Sequence, residues 1–98
     1  MAVTAVLDLH LRPEAIPDAP AVIGATLKDT RAFDGNLGLE VLEDVADPAH
    51  ITILEHWESL AHDDAYRAWR ATPEGASSLG DILAGPPSLW RYETQSTL

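Results

Sequence analysis

The sequence predicts an α+β domain: one antiparallel sheet with its helices segregated to a single face. Three observations predict it. Apolar residues recur at every second position in short stretches, the mark of half-buried strands. Two longer stretches carry apolar residues at helical spacing. The stretches run in the order βα, ββ, α, β, which folds readily as one sheet covered on one side. The chain has 98 residues, the size of one domain, and residues 1–98 read as that single domain. It contains no internal repeat, low-complexity tail or linker.

Val3, Ala5, Leu7, Leu9 and Leu11 alternate with more polar neighbours, so the N-terminus reads as a strand. Pro13, Pro17 and Pro20 make the next stretch a connector. Asp18 is a candidate N-cap, with Pro20 tolerated in the first turn of a helix over about 19–31. Val22, Ile23, Thr26, Leu27 and Thr30 give that helix its spacing. Asp34-Gly35 then turns the chain. Leu37, Leu39 and Val41 predict a second strand. Asp47-Pro48 is a turn signal before a third strand, in which Ile51, Ile53, Glu55 and Trp57 share one face. These two strands are close enough for an antiparallel hairpin. Ser59 is a candidate N-cap for a second helix carrying Ala61, His62, Ala65, Tyr66, Ala68 and Trp69. Thr72-Pro73 interrupts it. A short helical piece around Leu79–Leu83 precedes a last strand over Leu89–Thr94.

Composition narrows the function. Sixteen acidic against six basic residues give a formal charge of −10. Without a basic stripe, neither nucleic acid nor an anionic membrane is an expected partner. The absence of cysteine excludes disulfides, thiolate nucleophiles and iron–sulfur ligation, and is compatible with a cytoplasmic location. The alternating N-terminus reads as a strand rather than a signal peptide. No apolar run approaches the roughly 18 residues of a membrane helix.

The stretches Ala32-Phe33-Asp34-Gly35-Asn36-Leu37-Gly38 and Glu55-His56-Trp57-Glu58-Ser59 carry a family resemblance. So does Asp64-Ala65-Tyr66-Arg67-Ala68-Trp69-Arg70, followed by Leu79 to Pro87 and Tyr92. In order and spacing they resemble antibiotic biosynthesis monooxygenase domains, among them quinol monooxygenase-like members. The resemblance covers almost the whole chain. It implies a ferredoxin-like fold assembled as a dimeric αβ-barrel, with a pocket between sheet and helices in each protomer. It also implies a homodimer, in a family whose members include oxygenases that need no cofactor and act with dioxygen on small aromatic substrates, isomerases, haem-degrading enzymes and proteins without known activity. The family's haem-degrading branch fits poorly. Trp69 could match its tryptophan, but Ser78 stands where its iron-ligating histidine would fall, and no histidine follows His62.

His62, Tyr66 and Trp69 lie near one face of the second helix. His62 is the candidate base, because its neutral imidazole is available near neutral pH. Its place in the first turn, beside Asp63 and Asp64, is the ordinary place of a solvated histidine. Tyr66 is the candidate hydrogen-bond donor to a substrate oxygen. Trp57, Trp69, Trp90 and Tyr92 are candidate walls for an aromatic substrate, against the ordinary role of large aromatics as core. Glu55 sits on an apolar face, so it must be paired, hydrogen-bonded or protonated. Arg91 or another cation would pair it; a raised pKa would suit it to acid–base work. His56 faces away from Trp57 and could lie at a dimer interface. His10 faces away from the leucines of its strand, and His50 falls beside a turn. None of the four histidines has convincing ligand spacing, so no metal site is expected. The resulting expectation is a cofactor-independent monooxygenase oxidising a phenolic, anthrone or dihydroquinone-type substrate. The rivals are an isomerase or cyclase on the same scaffold, and a non-catalytic small-molecule-binding module.

Overall fold

The computed structural model describes residues 1–98. Four strands, β1 (Val3–His10), β2 (Asn36–Asp44), β3 (Asp47–Trp57) and β4 (Ser88–Glu93), form one sheet. Its order is β2-β3-β1-β4, and every neighbouring pair is antiparallel. Helices α1 (Ala19–Ala32) and α2 (Leu60–Arg70) cover one face. This is the ferredoxin-like βαββαβ arrangement. Short 3-10 turns at Pro13–Ala15 and Leu79–Ile82 complete the covered side. No helix is long and apolar enough to cross a membrane.

The parity of β1 is as the alternation predicts. Val3, Ala5, Leu9 and Leu11 are buried under the helices. Asp8 and His10 point to the open face, where no helix packs. The register places Leu9 opposite Ile51, Leu7 opposite Ile53, and Ala5 opposite both Glu55 and Arg91. α1 buries Ala19, Ile23, Thr26, Leu27 and Thr30, one stripe of a 3.6-residue repeat. Ile23 and Leu27 join Leu9, Leu11, Ile51, Ile53 and Ile82 in an aliphatic core. Asp18 stands at the head of α1, but its side chain makes no capping bond; Pro20 in the first turn needs none.

Two local expectations change. The β2–β3 turn is Val45-Ala46, and Asp47-Pro48 already belongs to β3. Asp44 Oδ1 accepts from the Ala46 amide at 2.8 Å, and Asp47 Oδ1 accepts from the Ala49 amide at 2.9 Å. Two aspartates closing the backbone on either side make the tighter turn. The second change is the rotation of α2. Ser59 caps it as expected, accepting from the His62 amide. The buried residues are Asp63 and Tyr66, while Ala61, Ala65 and Ala68 are exposed. α2 turns its charged stripe inward because the sheet beneath it carries Glu55, and β4 contributes Arg91.

Candidate functional site

A cavity of about 290 Å³ opens between α2, the end of α1 and the sheet. Leu7, Ile53, Leu27 and Leu89 supply its apolar walls, Glu55 lines it from β3, and Tyr66, Arg67 and Arg70 line its α2 side. The space between the second helix and the sheet is therefore open, as a small-molecule site requires. A second cavity of about 370 Å³ lies between α1 and the β2–β3 hairpin. It is larger, but its lining is mainly aliphatic, with Arg31 and Glu43 as the charged groups. It offers no buried acid or base, so chemistry points to the first.

Glu55 is carried there by strand parity. It is 1 % exposed and shares the covered face with Ile53 and Trp57. Its Oε1 accepts from the Trp57 indole N–H at 3.3 Å and from the Arg67 guanidinium. Burial pushes the Glu55 carboxyl above its ordinary value, against the opposing pull of Arg67. Arg67 also donates through Nε to Asp63 Oδ1 at 3.1 Å. Asp63, 0 % exposed, is held from its other side by Arg91 Nη1 at 3.3 Å. Arg91 bonds Asp64 as well. A chain of alternating charge thus runs Glu55–Arg67–Asp63–Arg91–Asp64 and ties α2 to β3 and β4. Arg91, expected as the partner of Glu55, pairs with Asp63 and Asp64 because it stands on β4, with β1 between it and Glu55.

Tyr66 borders the cavity, but its hydroxyl is engaged. Arg70 Nε donates to it at 2.7 Å, and it meets Thr30 Oγ1 at 2.6 Å. Thr30 Oγ1 in turn donates to the Thr26 carbonyl at 3.3 Å, so the Tyr66 proton goes to Thr30. Arg70 also donates to the Thr26 and Gly75 carbonyls. Its guanidinium lies 4.9 Å from the Trp69 ring centre and 5.1 Å from that of Tyr66.

The remaining candidates lie elsewhere. Trp57 is fully buried and packs with Tyr66, Phe33 and Ala5. Trp69 packs at a tilt against Phe33 and Tyr66 at the edge of that cluster. Neither tryptophan lines the cavity. Trp90 and Tyr92 stand opposite Val6 and Thr4, which face away from the helices. They project from the open face, 49 % and 57 % exposed, and Leu89 supplies the cavity wall from β4. Alternation had identified the pair correctly as sharing a face, and the register decides which face. His62 also stands off the cavity. Its Nδ1 bonds Ser59 Oγ at 2.7 Å, and its Nε2 lies 3.5 Å from Glu58 and 3.9 Å from Asp34. Its ring packs against Gly35, whose φ of +86° and lack of a Cβ make room for it. Phe33, Arg67, Arg70, Asp63 and Thr30 are the site's residues that sequence reasoning did not single out. The one available signal was a charged i, i+4, i+7 stripe, Asp63-Arg67-Arg70, on the second helix.

The open face carries a second polar cluster at its hairpin end. His50 lies within β3, not beside a turn, between Asp8 and Asp44. Hydrogen bonds that His50 donates to both carboxylates raise its pKa and lower theirs. His56 meets Thr4 Oγ1 at 3.1 Å and Glu40 at 3.4 Å on the same face.

The sequence profile of the antibiotic biosynthesis monooxygenase family matches residues 2–76. No curated protein matches the sequence. Solved structures are similar over nearly the full length. Rv0793 of Mycobacterium tuberculosis is 20 % identical with a TM-score of 0.78, covering 97 % of this chain and 96 % of that one. A structure named antibiotic biosynthesis monooxygenase is 18 % identical with a TM-score of 0.79, covering 95 % and 98 %. A protein of Methanosarcina mazei is 18 % identical with a TM-score of 0.81, covering 97 % and 94 %.

Proposed function

This chain belongs to the antibiotic biosynthesis monooxygenase family, and from that premise we propose that it is a cofactor-independent monooxygenase. Its substrate is a phenolic, anthrone or dihydroquinone-type aromatic bound in the cavity under α2. The observation that carries this reading is a buried carboxylate, Glu55, lining an open cavity and held above its ordinary pKa by burial. A carboxylate of raised basicity is suited to take an acidic proton from such a substrate. The resulting anion is electron-rich enough to give one electron to dioxygen. The apolar walls from Leu7, Ile53 and Leu27 keep water from the radical pair.

Glu55 replaces His62 as the base in this reading, because His62 is bonded to Ser59 and lies off the cavity. Arg67 is the charge partner of Glu55 and orients it. Tyr66 and Arg70 hold the α2 wall; a substrate oxygen would reach the Tyr66 hydroxyl by displacing Thr30. Trp57 and Trp69 support that wall from behind. The cavity volume lies at the small end for ligand sites, which range over roughly 300–1,000 Å³, and favours a compact substrate.

A second copy of the chain covers the apolar part of the open face, around Trp90 and Tyr92. Trp90, Tyr92 and Leu42 are exposed there beside Val6 and Leu54. An apolar patch of this kind on a small domain is suited to an isologous homodimer. Sedimentation velocity reads this directly: a dimer is expected, and Trp90→Glu shifts it to monomer.

Oxygen uptake on a panel of anthrones and dihydroquinones tests the activity, with autoxidation subtracted. The expected result is uptake above background and one atom of labelled dioxygen in the product. Conversion of a panel member with no oxygen consumed would favour an isomerase using the same base. Ligand binding with no turnover would favour a binding module.

A further inference from the structure

We propose that Asp8, His10 and His50 form a binding site for one first-row divalent cation of the zinc type, at the hairpin end of the open face. The backbone places the three ligands without any loop. His10 and His50 are directly opposite in the β1–β3 ladder. Asp8 lies on the same face of β1, one pleat away. One ligand atom from each of the three lies within 4.8 Å of the others. His50 Nε2 is 2.6 Å from Asp8 Oδ1, and His10 Nε2 is 3.3 Å from Asp8 Oδ2. Zinc ligands at bond lengths near 2.1 Å stand about 3.4 Å apart in a tetrahedron. The set reaches that spacing through side-chain adjustments of about an ångström, which half-exposed groups on a rigid ladder can make.

The two imidazoles are stacked, 4.6 Å apart and 3° from parallel, with both Nε2 edges toward the same carboxylate; because an imidazole lone pair lies in its ring plane, the exposed His10 ring turns out of the stack to share an ion with His50. The outer contacts are those of a metal-binding histidine. The other ring nitrogen of His50, Nδ1, is held by Asp44 Oδ2 at 2.9 Å. A carboxylate there holds the proton on Nδ1, and a metal would take the place of the proton that Nε2 shares with Asp8 Oδ1. Asp8 Oδ1 is itself oriented by the Thr52 hydroxyl, donating at 2.9 Å. Two imidazoles and a carboxylate select a borderline ion such as zinc over magnesium or calcium, which prefer all-oxygen shells. Three protein ligands leave a fourth position for water or a further group. The site lies on the opposite side of the sheet from Glu55, so it is separate from the cavity.

The test uses the full chain, untagged and stripped of metal. Zinc(II) is titrated by calorimetry and cobalt(II) by visible absorption. One ion per chain is expected, with a cobalt spectrum of a low-coordinate nitrogen–oxygen site. His10→Ala and His50→Ala each abolish saturable binding, Asp44→Asn weakens it about 10- to 100-fold, and His56→Ala leaves it unchanged. His10 is 63 % exposed at its side chain, so His10→Ala keeps the fold, and circular dichroism checks that it does. If His50→Ala unfolds, His10→Ala alone decides. No saturable binding by the native chain would overturn the proposal. So would binding that survives His10→Ala, or that disappears with His56→Ala.

Discussion

The two halves of the covered sheet face are built on opposite principles. Under α1 the contacts are aliphatic: Ile23 and Leu27 pack on Leu9, Ile51 and Ile53. Under α2 the helix buries Asp63 and Tyr66: Asp63 pairs with Arg67 and Arg91, Arg67 also reaches Glu55, and Tyr66 packs on Trp57 while bonding Arg70. The first half gains its stability from area removed from water, at roughly 25 cal/mol per Å². The second buries charges whose desolvation offsets most of their attraction, and well-packed hydrophobic residues of the same shape are often no less stable. A fold needs the first kind of contact. The second kind lies beside an open cavity, where the proposed chemistry is placed.

Removing one charge should separate the halves most sharply. Arg67→Met leaves Glu55 and Asp63 short of their shared cation, and the expected loss is about 3–5 kcal/mol in urea unfolding. A loss under about 1 kcal/mol would mean that the chain of ion pairs is not coupled. Leu27→Ala in the aliphatic half should cost about 2–5 kcal/mol, and that cost should not vary between pH 4 and 8. Glu55→Gln should behave in the opposite way. Burial raises the folded pKa of Glu55 above its ordinary value of 4.5. Its contribution is therefore fully present below that value and is lost as pH rises through the folded pKa. The variant should gain on the native protein as pH climbs from 4 toward 7, in paired urea titrations; a constant difference would contradict the shift. Ile53→Val, the mildest change, should cost about 0.5–1.5 kcal/mol.

The two halves also differed in how far the sequence revealed them. The aliphatic half was legible, because alternation in β1 and β3 and the Ile23–Leu27 spacing assign each residue to a face without knowledge of its partner. The capping role of Ser59 was equally local. In the charged half Tyr66 was visible as a helix-face aromatic and Glu55 as a carboxylate out of place on an apolar strand face; the arginines were not singled out as its lining. The choice of Arg67 over Arg91 by Glu55 depends on how α2 is rotated, and the helix carries both an aromatic–alanine stripe and a charged one. The pairing of Trp90 with Tyr92 was readable, but which face of β4 is covered is a matter of tertiary register. The Asp8–His10–His50 cluster was hidden for a similar reason. Its members come from two strands far apart in sequence and meet through the ladder.

The central claim is that Glu55, at the floor of the α2 half, is the base of the reaction. The direct measurement is oxygen uptake by Glu55→Gln beside the native protein and His62→Ala, each checked for folding. The account predicts a fall of about 10²- to 10⁴-fold for Glu55→Gln and turnover within about twofold of native for His62→Ala. Native-like turnover by folded Glu55→Gln would contradict it.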